Sequence, residues 1–373
     1  MKKPGGSVPF LLLLLVSLLF GTDKTGWHAP LLRLWFSPDG KYVLAQDTEE
    51  ITVLTVVPYA VRFRIPARDA TLAQFTPDSS SLVFVRSATL ASPDKIAVAH
   101  GTPHVERWSL AEDKLAASIA LPDSVCGTLV LAPDGRTYAC DDYQGTLRVI
   151  DVASSETILG KKKFVQPLFH WVGTQTRVDM HNDLGQASLC FSPDGRILVG
   201  IGAGGRQWSN NSGLIWDVSE RRPVTVKGLV HFIRDGAAFA FLDSSRVLIS
   251  RGWSWRKGDG VRARIVTFPD GKPVAIVTIP LSGALRRAAD SAFLILGAPL
   301  VTQHVPFYYG TIPVEVPTDR TVAVELATGQ MIVSNAGTLD VFGDRYVTEV
   351  RPGEIGIYQR GKGLQATVVL HEK

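Results

Sequence analysis

Residues 190–201 read CFSPDGRILVGI, and four other stretches of the chain carry the same phrase. WFSPDGKYVLAQ spans 35–46, QFTPDSSSLVFV spans 74–85 and VLAPDGRTYACD spans 130–141, while AFLDSSRVLISR at 240–251 is a weaker copy. In each, an apolar run ends, a Pro-Asp-Gly-type turn intervenes, and a second apolar run returns. Proline presets φ, glycine accepts positive φ and aspartate bonds its own backbone two residues on, so the phrase specifies a tight hairpin. RRAADSAFLIL at 286–296 and DVFGDRYVTEV at 340–350 are degenerate versions.

A second hairpin follows each phrase at a variable distance. TLRVIDVASSETILG (146–160) turns at ASSE, LIWDVSERRPVTVKG (214–228) at SERR, RIVTFPDGKPVAIVTI (264–279) at PDGK, VAVELATGQMIVSN (322–335) at ATGQ, and IGIYQRGKGLQATVVL (355–370) at RGKG. Two successive hairpins make four antiparallel strands, labelled a to d. Seven inner turns are expected, near Asp39, Asp78, Asp134, Asp194, Ser244, Asp290 and Asp344, and successive turns are 39 to 60 residues apart. Four-stranded units at that period are the mark of a β-propeller, whose radial closure leaves only short edges. The expected fold is all-β, a seven-bladed β-propeller of four-stranded antiparallel blades, forming one domain over residues 28–371.

These repeats resemble those of the WD40 and PD40/YVTN-type β-propellers of bacteria. LAPDGRTYACDDYQGTLRVIDVASSETI (131–158) is similar to the YVTN pattern, and Trp216-Asp217 in GLIWDVSERRPV is similar to the Trp-Asp pair of WD40 repeats. The resemblance covers nearly all of the chain beyond its first residues and implies a fold rather than an activity. No Gly-His dipeptide occurs, so the His–Ser–Trp network of the best-matched WD40 repeats is missing, which implies a divergent bacterial propeller. Lactonases exist among relatives of the YVTN pattern, but no motif here carries their catalytic residues across.

Composition narrows the partners. A hydrophobic fraction of 45% with 20% charged residues is that of a globular chain rather than a disordered one. The net charge of +4 over 373 residues is small, and GKKKF at 160–164 reads as a solvated loop, so nucleic acid is not an expected partner. MKKPGGSVPFLLLLLVSLLFGTDKTG (1–26) has two lysines, an apolar run and then small and polar residues. This is the layout of a secretory signal, and the run is short for a membrane-spanning helix. Residues 1–21 are therefore expected to be a signal peptide or, if uncleaved, an N-terminal membrane anchor, since Leu19-Phe20-Gly21 is not a small-x-small cleavage pattern. Membrane contact is expected only in the uncleaved case. The expected location is periplasmic or secreted. In such an oxidising compartment Cys126 and Cys140, which flank one inner turn, form either a disulfide or two small buried thiols. Cys190, in an apolar strand, reads as a small hydrophobe.

Function is expected where the chain does not repeat. The a–b and c–d turns are short, whereas SATLASPDKIAVAHGTPH (87–104), KKKFVQPLFHWVGTQTRVDMHNDLG (161–185), GAGGRQWSNNSG (202–213), RGWSWRKGDG (251–260) and GAPLVTQHVPFYYGTIPVEVPTDR (297–320) fall at b–c or d–a connections. In an antiparallel blade those two connections emerge on the same face. Long loops on a rigid scaffold are where binding residues concentrate. Trp171, Trp208, Trp253 and Trp255, four of the chain's eight tryptophans, lie in these insertions with Phe307, Tyr308 and Tyr309. Aromatics with a polar edge suit recognition of a protein, peptide or glycan; alternatively they roof the propeller by packing on one another. Arg206 and Arg256 stand beside tryptophans, where a guanidinium stacks or forks onto a carboxylate, although WRKGDG (255–260) also fits a solvated hairpin tip. The expected ligand-binding set is Trp171, Arg206, Trp208, Trp253, Trp255, Arg256, Tyr308 and Tyr309.

No catalytic or metal residue and no cofactor is expected. No G-x-S-x-G elbow occurs, and GIGAGG at 200–205 has no following helix to cradle a phosphate. His100 and His104 sit in a Pro/Gly-containing loop. The chain thus reads as a non-catalytic binding module. The alternative is a propeller hydrolase or lactonase-like enzyme with a composite site at the channel mouth, drawn from His170, Asp179, His181 and His304; Asp183 shares the insertion of the first three.

Overall fold

The Ser-Pro-Asp-Gly turn folds as its residues dictate. Ser37 Oγ donates to Asp39 Oδ1 at 2.6 Å, the same carboxylate oxygen accepts the N–H of Lys41, and Ser37 Oγ accepts the N–H of Tyr42. Thr76, Asp78 and Ser80 repeat this arrangement, as do Ser192, Asp194 and Arg196. Gly40 has φ +69°, and in the second copy Ser79 accepts φ +56° in the glycine's place. In the fifth copy Asp243 takes the capping role through the N–H of Ser245.

In a computed structural model of the protein, the described residues are 31, 33–68, 70, 73–86, 102–122, 128–141, 146–161, 189–202, 212–225, 238–250, 261–279, 284–297, 300–307, 310–317, 321–334 and 338–370. They form strands and turns, with no helix among them. Blade 1 is β1 (Arg33–Phe36), β2 (Tyr42–Gln46), β3 (Glu50–Val56) and β4 (Tyr59–Pro66). Blade 2 is β5 (Gln74–Phe75), β6 (Ser81–Arg86), β7 (His104–Ser109) and β8 (Lys114–Ala120). Blade 3 is β9 (Thr128–Leu131), β10 (Thr137–Asp141), β11 (Leu147–Asp151) and β12 (Thr157–Lys161). Blade 4 is β13 (Leu189–Phe191), β14 (Ile197–Gly202), β15 (Ser212–Asp217) and β16 (Arg222–Pro223). Blade 5 is β17 (Ala238–Phe241), β18 (Arg246–Ser250), β19 (Val261–Thr267) and β20 (Pro273–Ile279). Blade 6 is β21 (Ala284–Arg287), β22 (Phe293–Gly297), β25 (Thr321–Glu325) and β26 (Met331–Ser334), with an inserted hairpin of β23 (Leu300–Phe307) and β24 (Gly310–Pro317). Blade 7 is β27 (Leu339–Phe342), β28 (Arg345–Arg351), β29 (Glu354–Gln359) and β30 (Gly363–Val369). Every blade is a four-stranded antiparallel meander, so the protein is a seven-bladed β-propeller. All seven expected inner turns separate the first two strands of a blade.

The core is divided among the blade interfaces. Leu44, Ile51 and Val53 of blade 1 pack with Phe75, Leu82 and Phe84 of blade 2, and equivalent clusters join each later blade to the next. A seventh cluster places Phe36, Val43 and Leu54 of blade 1 with Val347, Ile355 and Ile357 of blade 7, which closes the ring. A blade covered on both faces explains why β3 is buried almost throughout, whereas the outermost β8 is largely exposed. In five blades the c–d pairing slips register at an equivalent place, as at Val53/Leu54 and Arg107/Trp108. Such bulges increase the twist of the outer hairpin.

The insertion of blade 6 is a correction to the sequence-based expectation of an irregular connection. Residues 300–317 pair as a hairpin of their own from Leu300↔Pro317 to Phe307↔Gly310. Of the cysteines, Cys140 is disulfide-bonded and Cys190 is free and half-buried. Cys126 lies outside the described residues.

Candidate functional site

Strand direction sorts every connection to one of two ends. The a–b and c–d turns are two to five residues long, from 57–58 and 343–344 up to 132–136 and 268–272. The b–c and d–a connections share the other end and reach 87–103, 162–188, 224–237 and 251–260. Strand a starts at that long-loop end and strand d finishes there, so the chain also enters β1 and leaves β30 on that face.

The eight expected ligand-binding residues belong to these connections. Trp171 falls between β12 and β13, Arg206 and Trp208 between β14 and β15, and Trp253, Trp255 and Arg256 between β18 and β19. Tyr308 and Tyr309 fall in the chain between β23 and β24. All eight lie outside the described residues, as do His100, His170, Asp179, His181 and Asp183. His304 lies on β23, and His104 is half-buried at the start of β7. Among the described residues no group of three or more His, Cys, Asp or Glu could hold a metal ion.

Polar side chains root the long-loop face. At the base of the connection between β6 and β7, Glu106 accepts Arg86 Nε and Trp108 Nε1, while Arg86 also donates to the carbonyls of Arg68 and Pro66. Asp47, nearly fully buried, accepts the N–H groups of Glu49 and Glu50 and so caps the tight b–c turn of blade 1. Burial, with the nearby charge of Asp47, pushes the Glu349 carboxyl above its ordinary value, against a long hydrogen bond from the Gly353 N–H. Within the ring of inner strands, the guanidiniums of Arg33 and Arg287 lie 4.2 and 5.5 Å from the Trp35 ring.

The short-turn face is a ring of capped aspartates. The Thr76 hydroxyl holds the Asp78 carboxyl below its ordinary value, against partial burial, and the Ser80 N–H and hydroxyl add to this. The N–H of Ser154 does the same for Asp151. Ion pairs tie outer turns to their neighbours: Arg62 to Asp113, Glu156 to Arg221, and Glu325 to Arg360. The Glu156–Arg221 pair is exposed on both sides, and such surface pairs add little to stability.

This face also carries something that sequence reasoning missed. A half-open cleft of about 550 Å³ sits where the inner turns of blades 7 and 1 meet, lined by residues 39–42, 55–57, 62 and 342–345. Gly40 makes the seam close: a Cβ there would lie 2.2 Å from the Phe342 ring. Val57, at the tip of the β3–β4 turn, is 77% exposed on the rim. Arg62 donates through Nε to Asp113 and through one terminal nitrogen to the Tyr42 hydroxyl, with its guanidinium over the Tyr42 ring. Each contributing turn looks ordinary alone; only closure of the ring brings residue 345 beside residue 42.

No protein-family model matches the chain, and no curated protein does. Among solved structures it is similar to the β-propeller domain of Myceliophteria thermophila Cps50 (Swd1), at 8% identity over 91% of this chain and 95% of that one, with a TM-score of 0.45. It is also similar to the dihydro-heme d1 dehydrogenase NirN, solved in complex with DHE, at 14% identity over 92% of this chain and 67% of that one, with a TM-score of 0.42. Likeness at this level concerns the fold alone. The propeller assignment rests on the seven sheets and the seven inter-blade cores.

Proposed function

We propose that the protein is a secreted or periplasmic, non-catalytic binding module of the divergent bacterial WD40/PD40 (YVTN-like) kind. It recognises a protein, peptide or glycan through its long-loop face. The observation that carries this reading is the asymmetry of the connections: one end of the ring is trimmed to turns of at most five residues, while the other bears connections of up to 27. Evolutionary drift in loop length has no reason to favour one end, whereas a binding face does. The aromatic content of the long connections supplies the contact chemistry. The disulfide at Cys140 supports an oxidising compartment, as does the apolar stretch at residues 10–20.

The test is a comparison of the mature protein with a variant carrying Trp208→Ala, Trp253→Ala, Trp255→Ala and Arg256→Ala. Both are titrated against the same glycan and peptide arrays. Saturable binding by the parent that the variant loses, at unchanged melting temperature, is the expected result. Identical binding by the two proteins would refute the long-loop assignment.

A further inference from the structure

We propose that the cleft at the seam of blades 7 and 1 is a second recognition site, on the face opposite the long loops. Its occupant is a peptide segment presenting a Glu or Asp side chain next to an apolar side chain. The charges of the cleft select this chemistry. Asp39 is committed to Ser37, the Lys41 N–H and the Lys41 ammonium, which lies 3.0 Å away. Asp344 accepts Gln359 Nε2, and Arg62 is held by Asp113 and the Tyr42 hydroxyl. Arg345 is the exception: it lines the cleft half-buried, and its guanidinium makes no hydrogen bond or ion pair with the described residues. Arg345 is half-buried and has no counter-ion among the described residues, and such a guanidinium favours an incoming carboxylate, which it grips with two parallel hydrogen bonds. Beside it the cleft offers the Tyr42 and Phe342 rings and the exposed Val57, so the group next to that carboxylate is apolar. The cleft is half-open and runs along a seam, which admits a segment of continuous chain rather than an enclosed small molecule. An occupant touches both the first and the last blade. Its binding therefore also holds the ring closed, and melting temperature rises with its concentration.

Fluorescence anisotropy of the full mature protein tests this with labelled, N-acetylated and C-amidated heptapeptides of the form Gly-Ser-Glu-X-Gly-Ser-Gly, X being Leu, Ile, Phe or Trp. Matched peptides carry Gln for Glu, or Ser for X. At least one Glu-X peptide is expected to bind saturably and raise the melting temperature. Affinity should fall about tenfold or more on Glu→Gln in the peptide and on Arg345→Ala in the protein. Val57→Ser should weaken the apolar contact with Arg345 intact. Arg345 has no hydrogen-bond or ion-pair partner among the described residues, so its variant should unfold like the parent; a Lys41→Ala variant, which removes a paired cation, should bind nearly normally. Failure of every Glu-X peptide to bind, binding insensitive to Arg345→Ala, or equal binding by the Gln-for-Glu peptides would each overturn the proposal.

Discussion

The carboxylate of Asp340 accepts the backbone N–H of Phe36 at 2.7 Å, across 304 residues of chain. Its other oxygen accepts the N–H of Ala289 at 3.1 Å, so one buried side chain on the inner strand of blade 7 ties blades 6 and 1 together. Among the described residues blade 7 is built from the C-terminal strands β27 to β30, with no strand shared across the closure. The ring is completed by side chains: Asp340, the Phe36–Phe342 contact, and Arg64 donating to the Leu370 carbonyl.

Asp340→Ala is therefore expected to destabilise the protein by about 2–4 kcal/mol, because one buried and one part-buried N–H group lose a charged acceptor. Asp340→Asn keeps one oxygen and should cost less. Urea denaturation of both variants checks this. An alanine variant as stable as the parent would show that the inter-blade core alone closes the ring.

Two glycines separate backbone strain from packing. Gly40 and Gly361 both have positive φ, but a Cβ on Gly361 meets nothing within 4 Å whereas one on Gly40 overlaps the Phe342 ring. Gly361→Ala should cost about 1 kcal/mol from backbone conformation alone. Gly40→Ala should cost about 3 kcal/mol or more, since the blade 7 ring must also move. Equal losses by denaturant titration would contradict the seam packing.

Glu349 gives a pH-dependent prediction of the less common sign. Burial raises its folded value above 4.5, and the charge of Asp47 adds to this. The folded state then keeps the proton while the unfolded state releases it. Glu349 therefore costs nothing below pH 4.5, and stability falls as pH rises toward and through the folded value. Glu349→Gln should match the parent near pH 4 and melt higher than the parent at pH 7. A gap that is constant with pH would rule out titration as its cause.

The disulfide at Cys140 is open to direct counting. With Cys190 free, an intrachain bridge leaves one titratable thiol of three in the denatured, unreduced protein, and three after reduction. Cys140→Ser should cost about 2–4 kcal/mol. Three thiols without reductant would contradict the bridge.

What was legible in the sequence is what depends on neighbours in the chain. The hairpin grammar of Ser192-Pro193-Asp194-Gly195 is satisfied within a few residues, so even the degenerate turns at Asp290 and Asp344 are located correctly from the pattern. The β23–β24 pairing carries no Asp-Gly signal between its strands, so the pattern that marks the other hairpins does not mark this one. The Asp340–Phe36 bond and the seam cleft join residues some 300 positions apart, and no local pattern encodes such a meeting. Ser79 shows the limit of the motif itself: glycine is preferred at its positive φ, yet serine holds it, with Ser79 Oγ accepting the Asp39 N–H of the neighbouring blade.

The reading of this propeller as a binding module is tested most directly by elemental analysis of the purified mature protein, followed by thermal-shift titration against metals, sugars and peptides. The expected result is no stoichiometric metal and a saturable melting shift with a glycan or with a peptide free of Glu and Asp, unaffected by chelation and abolished by alanine at Trp208, Trp253 and Trp255. Stoichiometric metal, with a shift lost on chelation, would contradict that reading and favour a catalytic centre on the histidine-bearing connections.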